Sequence, residues 1–214
     1  MKSIFLAFAT FLALIVINPS IGRAQDENKL TPGNQLPLAD VSMLNANGAS
    51  TSLKASSKEN GLLVMFSCNT CPFVIKNETT TKKTMEFATS HKVGMVIINS
   101  NQAKRNDEDS YQAMKKFAKD QGYTVPYLVD EASKLADQFG ANHTPEIFLF
   151  NNKGVLVYKG AMNDNPSNPE SAKKIYIEDA INAMVAGKEI NPNITKSIGC
   201  SIKRVLKATR VKEG

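Results

Sequence analysis

Two continuous apolar runs dominate the hydrophobic pattern of the chain. They cover residues 61–67 and 93–100, and runs of this kind are typical of strands that are buried on both faces of a mostly parallel sheet. A later run at 146–150 is followed by a turn-forming sequence at 151–154 and by a further run at 155–160. These three segments predict an antiparallel hairpin. The pattern therefore predicts one sheet that contains both parallel and antiparallel strands.

Segments with helical spacing connect the apolar runs. The predicted helices cover residues 71 to 92, 110–121, 131–139 and 171–186. We also predict a short strand at 124–129 and an N-terminal β-hairpin, 38–44 with 49–53, that turns at Asn47 and Gly48. Strands that alternate with helices predict a layered α/β domain. In such a domain the loops that follow the central strands meet at one edge of the sheet.

The N-terminus has the pattern of a secretory signal peptide. Residues 1–24 contain Lys2, an apolar core at 4–17, and small residues that end at Ala24. We expect cleavage near Ala24, export to the periplasm or secretion, and a flexible polar lead-in at 25–35. No later run approaches the roughly 20 apolar residues of a membrane helix, so we expect no integral membrane segment in the mature chain.

The charge and size of the chain narrow the possible classes of protein further. Removing Lys2 and Arg23 with the signal peptide lowers the formal net charge from +6 to +4, and this mild excess gives no reason to expect a nucleic-acid partner. About 190 residues remain, which suits one core. We predict a single domain over 36–187 and a basic, irregular C-terminal tail over 188–214. The chain has only three cysteines, too few for a disulfide-rich scaffold.

Two of these cysteines, Cys68 and Cys71, form a Cys-x-x-Cys motif between the strand at 61–67 and the helix that follows. Cysteines at this spacing can close a small disulfide ring. Unpaired N–H groups at a helix N-terminus stabilise a thiolate, and we expect Cys68 to lie there. The motif predicts a redox-active disulfide. Structural zinc would need a second ligand pair, and a stabilising disulfide is the other alternative.

The motifs together resemble the thioredoxin-like superfamily. The resemblance is carried by the buried strand, by Cys68 to Pro72 at the start of a helix, and by Thr144 and Pro145 ahead of a later strand. The N-terminal hairpin and the helix at 110–121 resemble its redoxin branch, which includes alkyl hydroperoxide reductase and thiol-specific antioxidant proteins. This resemblance implies a three-layer α/β/α sandwich with a central mixed sheet and an N-terminal β-hairpin. Three segments resemble a peroxiredoxin-like group of that branch: 66–74, 109–114 and 199–203.

The resemblance also implies roles for the site residues. Cys68 is expected to be an exposed nucleophile that attacks a partner disulfide, and Cys71 to be the resolving thiol. Thr144 and Pro145 are expected to hold a cis peptide that faces the cysteines and binds the substrate backbone. Thioredoxins bury an acidic residue in the strand behind the first cysteine, whereas residues 62–64 are apolar here.

Three further residues leave alternatives open. Without an acidic residue in the buried strand, proton transfer is expected through solvent or through Glu146. Cys200 could resolve a sulfenic acid on Cys68, pair between chains, or be a small buried hydrophobe. His143 could join Cys68 and Cys71 in a Cu(I) site, because thiolate and imidazole suit this soft ion.

The sequence thus predicts an exported thiol-disulfide oxidoreductase that exchanges its Cys68 and Cys71 pair with protein or small thiol partners, without a cofactor. A thiol-dependent peroxidase and a Cu(I)-binding chaperone are the alternatives. Peroxiredoxins place a threonine three positions before the cysteine that attacks peroxide, and this chain has Met65 there. That difference counts against efficient peroxidase activity.

Overall fold

The computed structural model describes residues 30–205. The strands are β1 (Met43–Leu44), β2 (Ser50–Thr51), β3 (Leu62–Ser67), β4 (Gly94–Asn99), β5 (Tyr127–Val129), β6 (His143–Thr144), β7 (Glu146–Phe150), β8 (Leu156–Gly160) and β9 (Cys200–Ser201). The α-helices are α1 (Leu53–Ser56), α2 (Pro72–Lys76), α3 (Glu78–Ser90), α4 (Tyr111–Gln121), α5 (Lys134–Phe139) and α6 (Tyr176–Val185). The signal peptide and residues 25–29 of the predicted lead-in lie outside the described residues.

The central sheet has five strands in the order β5-β4-β3-β7-β8. Strands β3, β4 and β5 run parallel, whereas β7 and β8 pair antiparallel. The sheet is therefore mixed, which confirms the predicted fold class. The predicted N-terminal hairpin is also present, although it is short: β1 pairs with β2 in a separate two-stranded sheet.

The two faces of the sheet carry separate hydrophobic cores, because successive side chains of a strand point to opposite faces. On β3, Leu63 and Met65 contribute to one core, whereas Val64 and Phe66 contribute to the other. Helices α3, α4 and α6 cover the first core and helices α1 and α5 cover the second. Every residue of β3 and β4 is buried, as the continuous apolar runs predict. This arrangement gives the three layers.

The predicted helix from 71 to 92 is interrupted at Asn77. Its side-chain amide donates hydrogen bonds to the carbonyl oxygens of Phe73 and Pro166, both at 2.8 Å, and its Oδ1 accepts from Asn163 Nδ2 at 3.0 Å. These partners hold Asn77 at φ −95° and ψ 7°, between α2 and α3. The last helix also begins later than predicted, at Tyr176.

The segment beyond residue 187 returns to the domain. Strand β9 pairs antiparallel with β6, so that Thr144 lies opposite Cys200, and Ile202 is buried in the second core. The predicted tail is irregular elsewhere in its described part, and residues 206–214 lie outside it. Within residues 30–205 no helix is long and apolar enough to cross a membrane.

Candidate active site

The Cys-x-x-Cys loop connects the C-terminal end of β3 to the start of α2. Cys68 follows the strand directly, and Cys71 is the N-cap residue of a helix that begins at Pro72. The prediction that Cys68 lies at the helix N-terminus is therefore wrong, because Cys71 occupies that position. Cys68 is also buried rather than exposed: its exposed fraction is 2% and that of Cys71 is 3%.

Thr144 contacts both cysteines. Its hydroxyl Oγ1 lies 3.4 Å from Cys68 Sγ, and its carbonyl oxygen accepts a hydrogen bond from Cys71 Sγ at 3.2 Å. The peptide between Thr144 and Pro145 is cis, as the resemblance implies. The structure thus brings these four residues together at one edge of the sheet. Their role in binding a substrate backbone stays a prediction.

Cys200 is the third cysteine at this edge. Its Sγ lies 2.6 Å from Cys71 Sγ, so it faces Cys71 rather than Cys68. The approach depends on Gly199, because a Cβ at that position would lie 2.2 Å from the Thr144 carbonyl oxygen. Cys200 is half-buried and packs against the two other cysteines at the rim of the site.

The surroundings favour a thiolate on Cys71. The interaction with the Cys68 side chain contributes most to a lowered pKa of Cys71; burial opposes it, and the interaction with the Cys200 side chain lowers the pKa further. The pKa of Cys68 is raised by the same bond, by burial and by the charge of Asp109. Burial, followed by the bond to Cys71, raises the pKa of Cys200 to about 11. Of the three thiols, Cys71 is therefore the one whose pKa is lowered.

A buried polar network fixes the loop from the opposite side. Asp109 is fully buried, and its Oδ1 accepts hydrogen bonds from the Asn69 backbone N–H at 2.9 Å and from Asn99 Nδ2 at 2.7 Å. Its Oδ2 accepts from Asn101 Nδ2 at 2.8 Å, and the Tyr127 hydroxyl donates to Asn69 Oδ1 at 2.8 Å. We call these five residues the Asp109 network.

The Asp109 network was not predicted from the sequence. Its members come from the Cys-x-x-Cys loop, from the end of β4 and the loop after it, and from β5. The polar residues that follow the buried strand at 93–100 are the signal that could have indicated it, because the ends of parallel strands meet at one edge. Asp109 also acts on the cysteines through its charge, which raises the pKa of Cys68.

The remaining predicted residues lie beside the site. Glu146 Oε2 accepts hydrogen bonds from the backbone N–H groups of Asn142 at 2.8 Å and His143 at 3.0 Å, so its carboxylate supports the loop before β6. His143 Nδ1 lies 4.0 Å from the same oxygen. In the part of the chain that the structure describes, no group of three or more His, Cys, Asp or Glu residues is arranged to hold a metal ion. The structure does not bring His143 together with Cys68 and Cys71 as a copper site.

The mixed sheet, its two helical layers and the cis-proline opposite the cysteine loop define a thioredoxin-like α/β protein. The family model for Redoxin matches residues 31–176. The chain therefore belongs to the Redoxin family. A search of curated proteins found no match.

Solved structures share the fold of this chain. An uncharacterized conserved protein from Geobacillus kaustophilus is 32% identical, with a TM-score of 0.76 over 85% of this chain and 96% of that chain. A hypothetical protein from Sinorhizobium meliloti 1021 is 31% identical, with a TM-score of 0.72 over 84% and 98%. The thioredoxin domain of a thiol-disulfide oxidoreductase from Bacteroides vulgatus shares the fold at 19% identity, with a TM-score of 0.53 over 66% and 96%.

Proposed function

We propose that this protein is a thiol-disulfide oxidoreductase in which Cys68 and Cys71 alternate between a dithiol and a disulfide. The observation that carries the proposal is a pair of buried cysteines that both contact Thr144, with Cys71 at a helix N-cap and a cis-proline peptide opposite. Membership of the Redoxin family supports it, as does the shared fold with the thiol-disulfide oxidoreductase from Bacteroides vulgatus.

The reaction exchanges electrons with a protein or small-molecule thiol. The reduced protein and a partner disulfide give the disulfide between Cys68 and Cys71 and two partner thiols, and the reverse reaction oxidises partner thiols. The lowered pKa of Cys71 favours its thiolate within the pair. Its stabilisation favours the dithiol form over the disulfide, because the reduced state carries the charge that the site binds.

We also propose that the protein is exported to the periplasm or secreted. The proposal rests on the sequence pattern of residues 1–24. N-terminal sequencing of the protein recovered from its native compartment tests it: a mature chain that begins after Ala24 supports export, and an uncleaved chain in the cytoplasm contradicts it.

Turnover of a small disulfide with dithiothreitol as the electron donor tests the oxidoreductase activity. The tests use Cys200→Ser as the background, so that a disulfide from Cys200 to Cys71 cannot replace the proposed pair. We expect turnover in Cys200→Ser and a loss of at least about a hundredfold when either Cys68→Ser or Cys71→Ser is added, because a single thiol cannot resolve a mixed disulfide. Equal turnover in the variant with both Cys68→Ser and Cys200→Ser would contradict the proposal.

The same proteins separate the two alternative functions. Consumption of hydrogen peroxide with a thiol donor, faster than turnover of the disulfide, would indicate a thiol-dependent peroxidase. Stoichiometric Cu(I) binding that is lost in His143→Ala would indicate a copper chaperone. The oxidoreductase proposal expects neither result, because the interaction with Cys71 and the charge of Asp109 oppose a thiolate on Cys68 and because, among the described residues, His143 is not grouped with the cysteines as a metal site.

A further inference from the structure

Cys71 lies between two potential disulfide partners. It shares the Cys-x-x-Cys loop and the contact with Thr144 with Cys68, and its Sγ lies 2.6 Å from Cys200 Sγ. A disulfide bond needs about 2.05 Å between the sulfur atoms, so a small displacement of either side chain would allow Cys71 to bond to Cys200. Cys200 is hydrogen-bonded to Cys71, and not to Cys68.

Cys200 is held in place rather than carried on a loose tail. Strand β9 pairs with β6 directly opposite Thr144, and Gly199 permits this close approach. The residues that follow are anchored to three separate parts of the domain. These anchors are Ile202 N–H to Asn142 O at 3.0 Å, Lys203 N–H to Asn101 Oδ1 at 2.8 Å, and Arg204 Nε to Asp137 Oδ1 at 2.8 Å.

The three sulfur atoms differ in their accessibility. Cys68 and Cys71 are 2% and 3% exposed, whereas Cys200 is only half-buried. Thiol-disulfide exchange requires an attacking thiolate to approach a sulfur atom along the bond that breaks, so access limits its rate. A partner thiol therefore reaches Cys200 more readily than the buried pair.

We propose that Cys200 is the cysteine through which partners exchange electrons with the buried pair, and that Cys71 forms alternative disulfides with Cys68 and with Cys200. The inference rests on the proposed function and adds its route of electron transfer. Among the alternatives that the sequence left open for Cys200, the inference differs from resolution of a sulfenic acid on Cys68, because Cys200 faces Cys71.

The proposed route starts from the disulfide between Cys68 and Cys71. The Cys200 thiol loses its proton and attacks Cys71 Sγ, so that the bond to Cys200 forms, the bond to Cys68 breaks, and Cys68 leaves as a thiolate and takes up a proton. No net oxidation occurs in this step. A partner thiolate then attacks Cys200 and releases the Cys71 thiolate. A second partner thiolate attacks the mixed disulfide, which leaves the Cys200 thiol and one oxidised partner disulfide.

Mapping the disulfides of single variants tests the alternative bond. We would oxidise Cys68→Ser, Cys71→Ser and Cys200→Ser with oxidised glutathione, block the remaining thiols, and identify linked peptides by mass spectrometry. We expect a disulfide between Cys71 and Cys200 in most molecules of Cys68→Ser. The matched control, Cys71→Ser, should form no disulfide between Cys68 and Cys200. Absence of the first bond, or equal formation of the second, would overturn the inference, and Cys68→Ala serves as a second variant in case Cys68→Ser is poorly folded.

The outcomes also separate this inference from the proposed function. If Cys200→Ser forms the disulfide between Cys68 and Cys71 but Cys68→Ser forms none with Cys200, only the inference fails. If Cys200→Ser forms no disulfide under any condition, the proposed function fails as well.

Reaction kinetics test whether a partner thiol reaches the buried cysteine pair through Cys200. Wild-type protein and Cys200→Ser, each oxidised to one intramolecular disulfide, would be mixed with reduced glutathione in a rapid-quench experiment. We expect reduction to be about tenfold slower in Cys200→Ser, because glutathione must then attack a buried sulfur. Equal rates would overturn the role of Cys200 as the point of exchange.

Discussion

The loop that carries Cys68 and Cys71 is held on two sides, and the two sides are built differently. On one side, the Asp109 network binds Asn69 through neutral and charged hydrogen bonds of 2.7 to 2.9 Å, and its members are buried. On the other side, thiols contact Thr144 and each other, and strand β9, only two residues long, completes the contact.

The two sides of the loop therefore have different roles: the Asp109 network fixes the position of the loop, and the thiols carry its reactivity. A buried carboxylate with three donors is costly to disturb, because each donor would be left unpaired. Thiol hydrogen bonds are weak, and the sulfur atoms can exchange partners without unfolding the domain. We therefore expect changes in the Asp109 network to act mainly on stability, and changes on the sulfur side to act mainly on redox chemistry.

The largest expected effect is that of Asp109→Ala. The substitution leaves the Asn69 N–H and the amides of Asn99 and Asn101 without their acceptor. We expect the free energy of unfolding to fall by about 3 to 5 kcal/mol, as measured by urea denaturation. Asp107→Ala is the matched control in the same loop, because Asp107 is exposed, and it should change stability by less than about 0.5 kcal/mol. Equal losses in the two variants would remove the distinction between the two sides of the loop.

Tyr127→Phe should have a smaller effect on the same side. The hydroxyl of Tyr127 donates to Asn69 Oδ1 at 2.8 Å and accepts from Asn99 Nδ2 at 3.0 Å. Removing it leaves two buried polar groups short of a partner, and we expect a loss of about 1 to 3 kcal/mol in urea denaturation. Tyr176→Phe, outside the network, provides the control. A stability equal to that of the wild type would show that the hydroxyl does not position Asn69.

Thr144→Val tests the side of the loop on which Thr144 contacts the cysteines. The hydrogen bond from the Thr144 side chain lowers the pKa of Cys68 and of Cys71, so its loss should raise the pKa of the reactive thiol. In the Cys200→Ser background, we expect the midpoint of the pH profile for alkylation by iodoacetamide to rise by about one pH unit or less. Thr144→Ser retains the hydroxyl and should restore the profile. A shift in both variants would mean that packing, rather than the hydroxyl, sets the pKa.

The smallest expected effect concerns Glu78, which lies on neither side of the loop. Burial raises the pKa of Glu78 from 4.5 to about 7, although the Tyr123 hydroxyl donates to its Oε1 at 3.0 Å. Among the described residues, its Oε2 has no hydrogen-bond partner. Because the pKa is higher in the folded state, this group stabilises the fold below pH 4.5 and that contribution is lost as the pH rises to about 7.

Urea denaturation at several pH values measures this linkage. We expect the decline in stability between pH 4.5 and about 7 to be reduced in Glu78→Gln, because the amide does not ionise. Glu86→Gln, an exposed position on the same helix, should keep the slope of the wild type. A slope unchanged in Glu78→Gln would contradict the assignment.

The sequence predicts the parts of the fold that depend on local pattern. The apolar runs at 61–67 and 93–100 become β3 and β4 with shifts of one residue at their ends, because burial on both faces leaves a continuous signal. The cis peptide before Pro145 follows from resemblance rather than from pattern. The interruption at Asn77 could not be predicted, because its partners Pro166 and Asn163 are remote in the chain.

The sequence indicates the Cys-x-x-Cys motif of the candidate site, but not the geometry around it or the Asp109 network. The spacing of Cys68 and Cys71 indicates a dithiol, yet only the structure identifies Cys71 as the N-cap and Cys200 as its neighbour. Strand β9 is too short for any alternation to be visible. The donors that surround Asp109 come from separate strand ends, so no spacing along the chain marks them.

The reduction potential of the Cys68 and Cys71 pair tests the central claim most directly. Cys200→Ser would be equilibrated in glutathione or dithiothreitol buffers, and the remaining thiols would be alkylated and counted by mass. We predict one two-electron transition with a midpoint less negative than the roughly −270 mV of thioredoxin, because stabilisation of the Cys71 thiolate favours the dithiol form. Failure to form an intramolecular disulfide at any buffer ratio would contradict the account.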